Sequence, residues 1–138
     1  YFQSNFMRVV LDSNVIIAAF AARGLCSEVF EVCLSGQRIV ISEHILSEVK
    51  TSLTKKVRLP ESVVKDIIGY LRDEAERVKP RELTDSPCRD KDDDIIIGTA
   101  LSGNAEFIIT GDEDLLVLKK YKWIDIVTPR EFWSRLKG

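Results

Sequence analysis

Acidic side chains dominate the residues of this chain that could do chemistry. Asp12 ends the run "MRVVLD", and Glu48 sits within "SEHILSEVK". Asp90, Asp92, Asp93 and Asp94 crowd "RDKDDDIIIGTA", and Asp112 and Asp114 follow "FIIT" in "GDEDLL". Carboxylates brought together raise one another's pKa unless a cation sits among them. Nitrogen and sulfur donors are sparse: one histidine, His44, and three cysteines, Cys26, Cys33 and Cys88, with no C-x-x-C spacing. That argues against a zinc site of the usual Cys/His kind. Any metal must then be held by oxygen, which means Mg²⁺, Mn²⁺ or Ca²⁺. With several carboxylates, Mg²⁺ or Mn²⁺ is the natural choice, able to generate hydroxide from water and to stabilise charge on a phosphodiester under attack.

Such chemistry requires elements that bring these acids together. "MRVVLD" (7–12) is short, β-branched and apolar, as a buried strand is. Similar runs are "RIVIS" (38–42), "EFIIT" (106–110) and "IDIVT" (124–128). Between them lie helical patterns: "SNVIIAAFAARG", "SEVFEVCLSG", "EHILSEVKTSLTKKV" capped by Ser42, and "PESVVKDIIGYLRDEAERV" opened by Pro60. "DIIIGTALSG" is apolar on nearly every side, "GDEDLLVLKKY" turns into a short helix, and Pro129 starts a last one. Alternating strands and helices predict an α/β sandwich with a mainly parallel sheet. In such sheets the ligand site lies beyond the carboxyl ends of the strands, where strand order reverses.

That rule delivers Asp12 and Asp112 to one edge of the sheet. Either could instead only cap the helix that follows it. Glu48 borders the apolar stripe of its helix, next to Ile45, where a merely solvated glutamate is also common. Asp94 joins the buried helix without a spacer and is the best of its group to reach inward, with Asp93 a helper. Asp90 and Asp92 read as loop and helix-start charges. The candidate cluster is Asp12, Glu48, Asp94 and Asp112, with Asp114 in reserve. Asn14 and Ser42 would orient carboxylates or water, although Asn14 could equally be a helix cap.

The 138 residues suffice for one domain with one core, and apolar and charged fractions of 45% and 30% are ordinary for a globular protein. The start "YFQSN" looks like the remnant of an engineered protease site, so residues 1–6 are set aside and 7–138 taken as a single domain. No run is long enough to cross a membrane and no signal-peptide pattern is present, which leads us to expect a cytoplasmic protein with reduced thiols. The net charge of −2 exerts no global pull on nucleic acid. Basic residues cluster at Lys50, Lys55, Lys56 and Arg58 and at Lys119, Lys120 and Lys122, flanking an acidic centre. That pattern suits a polyanion held around metals, and it also suits solvated helix faces.

Taken in order, "VVLDSNVII", "VISEHILSEV", "DKDDDIIIGTAL" and "FIITGDEDLL" resemble the PIN-domain nucleases. The likeness is strongest to the stand-alone prokaryotic PIN proteins assigned as toxins of toxin–antitoxin pairs, VapC-like in the broad sense, and it covers residues 7–138. The resemblance implies a three-layer α/β/α fold with a parallel sheet of about five strands, the fifth being "RVKP". It implies an Mg²⁺- or Mn²⁺-dependent ribonuclease whose acids are Asp12, Glu48, Asp94 and Asp112. Asp114 often shares the role of Asp112, and Asp94 lies six residues before the small Ala100, as the family's third acid does. A homodimer and a small antitoxin partner are further implications of the resemblance, which spacing alone does not show.

Two other readings compete. A haloacid-dehalogenase-like phosphatase also begins with an Asp after its first strand, but it needs a second Asp where this chain has Asn14, and an acid where it has Leu116. A PIN-like module that binds RNA or a partner without cutting would be expected to have lost some of the acids, and here all are present.

Overall fold

A computed structural model describes residues 6–137; residues 1–5, which fall within the segment set aside as a tag remnant, lie outside the described residues, as does Gly138. Five strands form a parallel sheet: β1 (Arg8–Leu11), β2 (Arg38–Ile41), β3 (Glu76–Arg77), β4 (Phe107–Ile109) and β6 (Ile124–Val127). A sixth, β5 (Lys120–Tyr121), pairs antiparallel with β6 at one edge, giving the order β3-β2-β1-β4-β6-β5. Seven helices complete the described chain: α1 (Ser13–Ala21), α2 (Leu25–Gly36), α3 (Glu43–Lys55), α4 (Glu61–Glu74), α5 (Lys91–Ser102), α6 (Glu113–Leu116) and α7 (Pro129–Lys137).

The central strands are apolar on both sides because both sheet faces are covered. Val9, Val10 and Leu11 of β1 are fully buried, as are Val40 and Ile41 of β2 and Ile108 and Ile109 of β4. From β1 the chain steps outward through β2 to β3, then returns to β4 on the other side of β1. Right-handed crossovers in opposite directions put their helices on opposite faces. Thus α1 packs on α2 and α3, and α3 on α4, while α5 packs on β1, β2 and β4. The reversal between β1 and β4 opens a crevice at the carboxyl ends of those two strands.

The weak strands depart from the sequence expectation. β3 is only two residues long and starts at Glu76, one residue ahead of "RVKP", next to β2. β5 was not anticipated within "GDEDLLVLKKY"; its two residues carry no apolar alternation, and pairing with β6 alone makes them a strand.

Helix α5 begins at Lys91, with Asp90 as its cap, so the acids at 92–94 occupy its first turn instead of preceding it. The irregular segment before α5 is pinned to it at Gly98. Arg81 N–H donates to the Gly98 carbonyl at 3.0 Å. A Cβ on Gly98 would collide with the Arg81 carbonyl oxygen, so only glycine permits this approach.

Gly98→Ala should therefore destabilise the protein by about 1–3 kcal/mol through overpacking, although alanine is the better helix former. Thermal unfolding checks this, and a raised midpoint would contradict the close approach.

Candidate metal centre

Asp12 lies one residue past β1 and caps α1. Capping and siting coincide: its Oδ1 accepts Ser13 N–H at 2.8 Å, and its Oδ2 accepts the Thr110 hydroxyl at 2.7 Å and the Asn14 amide at 3.4 Å. Asn14 thus reaches the carboxylate. The Asp12 backbone N–H donates to Ile109 of β4 at 2.9 Å, which extends the ladder to the site's edge. Asp12 is only 5% exposed. Burial raises its pKa; hydrogen bonds from Thr110 and Ser13 pull it back, and the Glu48 and Asp112 charges push it up again.

Thr110 is fully buried one residue past β4. Its hydroxyl donates to Asp12 and accepts the Asp112 N–H at 2.9 Å, so one oxygen fixes the ends of two strands against each other. Asp112 caps α6 by accepting Asp114 N–H at 2.9 Å. Asp114 is half-buried, with Arg89 Nη2 at 3.5 Å. Neither Thr110 nor Ser13 was singled out from the sequence, although a hydroxyl residue at a strand end beside an acid is a readable signal.

The third acid is a correction. Asp93 turns into the crevice and Asp94 turns away, because the helix starts at residue 91. In that register Asp93 lies below Ile96 and Ile97 on the buried face, at i+3 and i+4. Asp94 instead ties down the preceding segment: it accepts the Ser86 hydroxyl at 2.5 Å and Cys88 N–H at 3.1 Å. Burial opposes ionisation of Asp94, but those hydrogen bonds from Ser86 and Cys88 win and hold its pKa low. Asp93 is 7% exposed, and its Oδ2 is shielded with no hydrogen-bond partner. Burial, then the hydrogen bond that a protonated Asp93 can make to Asp112, then the charges of Asp112, Asp12 and Asp90 push its pKa up to about 7.

Glu48 reaches the same crevice from α3. Its Oε1 accepts the Ser13 hydroxyl at 2.7 Å. Ser42 makes no hydrogen bond to the carboxylates; its hydroxyl accepts Ile45 N–H at 3.5 Å and the Thr99 hydroxyl at 3.1 Å, so it caps α3 and joins that helix to α5.

Asp12, Glu48, Asp90, Asp92, Asp93 and Asp112 line a cavity of about 190 Å³ that has no basic residue in its wall among the described residues. A larger groove of about 1060 Å³ runs between α3 and α4 beside Leu46, Val64 and Ile68. It shares no wall residue with the acidic cavity, so the chemistry belongs to the smaller space. One carboxylate oxygen each from Asp93, Asp112 and Asp114 falls within 4.8 Å of the others. The set fits a hard divalent cation: the donors are all oxygen, and the bare Asp93 Oδ2 is a buried acceptor that a cation would satisfy.

A doubly wound α/β sheet with a carboxylate cluster at its switch point defines the class. A model of the PIN domain matches residues 8–114, and the chain belongs to the PIN domain family. Two solved structures share the fold. VapBC2 from Rickettsia felis, bound to a DNA fragment from their promoter, has a chain that matches with a TM-score of 0.61 and 15% identity, over 87% of this chain and 97% of that one. VapBC-1 from nontypeable Haemophilus influenzae matches at 0.62 and 19%, over 90% and 99%. No curated protein matches.

Linkage gives a sign for pH. The Asp93 pKa is raised in the folded protein above the ordinary carboxylate value of about 3.9. The folded state therefore holds the extra proton between the two values, and stability is lost as pH rises from about 4 through about 7. Asp93→Asn should remove this loss, so the metal-free variant should melt above wild type at pH 8 and the gap should shrink toward pH 4. Parallel thermal melts in EDTA check it.

Proposed function

We propose that this protein is a metal-dependent ribonuclease that hydrolyses phosphodiester bonds, acting as the toxin of a toxin–antitoxin pair. The observation that carries the reading is Asp93 Oδ2, a shielded carboxylate oxygen with no partner, set among Asp12, Asp112 and Asp114. Without a cation these groups cannot all carry charge together without repulsion, and Asp93 holds a proton instead. Membership of the PIN domain family supports the nuclease part. The shared fold with the VapBC structures supports the toxin part and, with it, a small antitoxin partner; a homodimer and a cytoplasmic setting belong to the same reading by the resemblance of the sequence. No helix among the described residues is long and apolar enough to cross a membrane.

Asp12, Asp93 and Asp112 would hold Mg²⁺ or Mn²⁺, with Asp114 at the rim. When bound, the ion supplies Lewis-acid polarisation of the phosphate and acidifies water. The chain does the positioning. Thr110 and Ser13 fix both oxygens of Asp12, so the carboxylate keeps one orientation while substrate binds. Thr110 also fixes the backbone of Asp112. Glu48, oriented by the Ser13 hydroxyl, accepts the proton of the attacking water.

The test is cleavage of single-stranded and structured RNA in Mn²⁺ or Mg²⁺, with EDTA as control. Asp12→Asn and Asp93→Asn should each lose about 100-fold or more, the scale expected of a group that holds metal or proton in the reaction. Asp94→Asn should stay within about tenfold, since Asp94 faces the preceding segment. Equal RNA binding by all forms with no cleavage in any metal would make the protein a non-catalytic RNA-binding module. Hydrolysis of a small phosphate ester would favour the phosphatase reading. Induced expression of wild type, but not of Asp12→Asn, should arrest growth of a bacterial host.

A further inference from the structure

His44 takes no part in the chemistry above, yet its imidazole lies beside Glu48 and Asp92, two residues of the acidic cavity's wall. It lies one turn before Glu48 on α3, and its Nε2 sits 3.5 Å from Glu48 Oε2. Nε2 is shielded from water and makes no hydrogen bond. Asp92 approaches from the first turn of α5, so one ligand atom each from His44, Glu48 and Asp92 falls within 4.8 Å of the others. Residues four apart share a helix face, which is how α3 presents an imidazole and a carboxylate to one point. At 3.5 Å the contact with Glu48 is an ion pair when the imidazole is protonated, but it makes no hydrogen bond to Nε2. A cation between the three groups would satisfy Nε2 and offset the repulsion between Glu48 and Asp92.

We propose that His44, Glu48 and Asp92 form a second metal position, distinct in chemistry from the all-oxygen cluster of Asp93, Asp112 and Asp114. One imidazole nitrogen with two carboxylates takes a borderline transition ion such as Mn²⁺, Co²⁺ or Zn²⁺ in preference to Mg²⁺. Glu48 links the two positions: its Oε2 faces His44, and its Oε1 holds Ser13, whose N–H holds Asp12. The inference deepens the proposed function and rests on it for the role of that link. It also amends the sequence argument for oxygen donors alone, because a mixed site needs only one imidazole.

His44 is the only histidine of the chain, so its ring nitrogens give an unambiguous signal. In ¹⁵N NMR of wild type, Zn²⁺ should move the Nε2 resonance into the metal-bound range and leave Nδ1 near its free position, whereas Mg²⁺ should move neither. By calorimetry, wild type should take up two equivalents of Zn²⁺. His44→Gln should lose one of them, and Asp93→Asn should lose the other while keeping the His44 NMR response. Circular dichroism of both variants checks that each is folded, and the NMR arm needs no variant. If Zn²⁺ leaves Nε2 unmoved while Asp93-dependent binding persists, this position is overturned and the proposed function stands. If Zn²⁺ binding requires His44 while no Zn²⁺, Mn²⁺ or Mg²⁺ binding depends on Asp93, this position stands and the all-oxygen centre is overturned.

Discussion

Everything at the carboxyl edge of this sheet is organised around the mutual repulsion of carboxylates that the fold forces together. Asp12 and Asp93 are both removed from water, and each feels Asp112. In a medium less polarisable than water that repulsion is strong. The surrounding structure is arranged to bear it. Two strand ends are locked by one threonine hydroxyl, a serine N–H and hydroxyl serve two acids, and the central strands β1, β2 and β4 end beneath them in buried apolar residues. A softer scaffold would relieve the strain by turning a side chain outward. A rigid one holds the charges in place for a cation.

The parts of this arrangement set by local pattern were readable in advance. Apolar runs of β-branched residues that stop at an acid placed Asp12 and Asp112 at one edge, and the alternation of strands and helices located that edge at a switch in strand order. Glu48 was visible beside the apolar stripe of α3, a place that taken alone favours plain contact with water. The choice between Asp93 and Asp94 was not. It turns on where α5 begins, and "RDKDDD" offers several caps of similar merit. The start is decided by the preceding segment, which packs across Gly98 and draws Asp94 toward Ser86 and Cys88. Those contacts are tertiary and leave no periodic trace. The six-residue spacing from Asp94 to Ala100 is met equally by Asp93 and Thr99. Ser42 was misread for a related reason: its position before a helix was visible, but not Thr99 waiting beside it.

The same α5 turn that carries Asp93 inward carries Asp92 toward α3 and Asp94 toward the incoming chain. Successive residues of a helix point about 100° apart, so three adjacent aspartates serve three directions. What looks like a single acidic run is divided among a buried ligand candidate, an exposed acid near a second helix and a clasp on the chain that leads into the helix. The burial of the rest of α5 makes this division rigid, since rotating the helix to exchange one aspartate for another would drag Ile96, Ile97 and Ala100 out of the core.

Asp12 caps α1 and faces the site with the same two oxygens. An asparagine there keeps an oxygen for the cap while discarding the charge. Descendants of this chain that drift by a single such exchange would therefore forfeit chemistry without forfeiting shape, and would shed electrostatic strain in doing so. The fold thus leaves open an easy road from enzyme to inert binding module, while the reverse road requires a lineage to accept a less stable protein before it regains any activity.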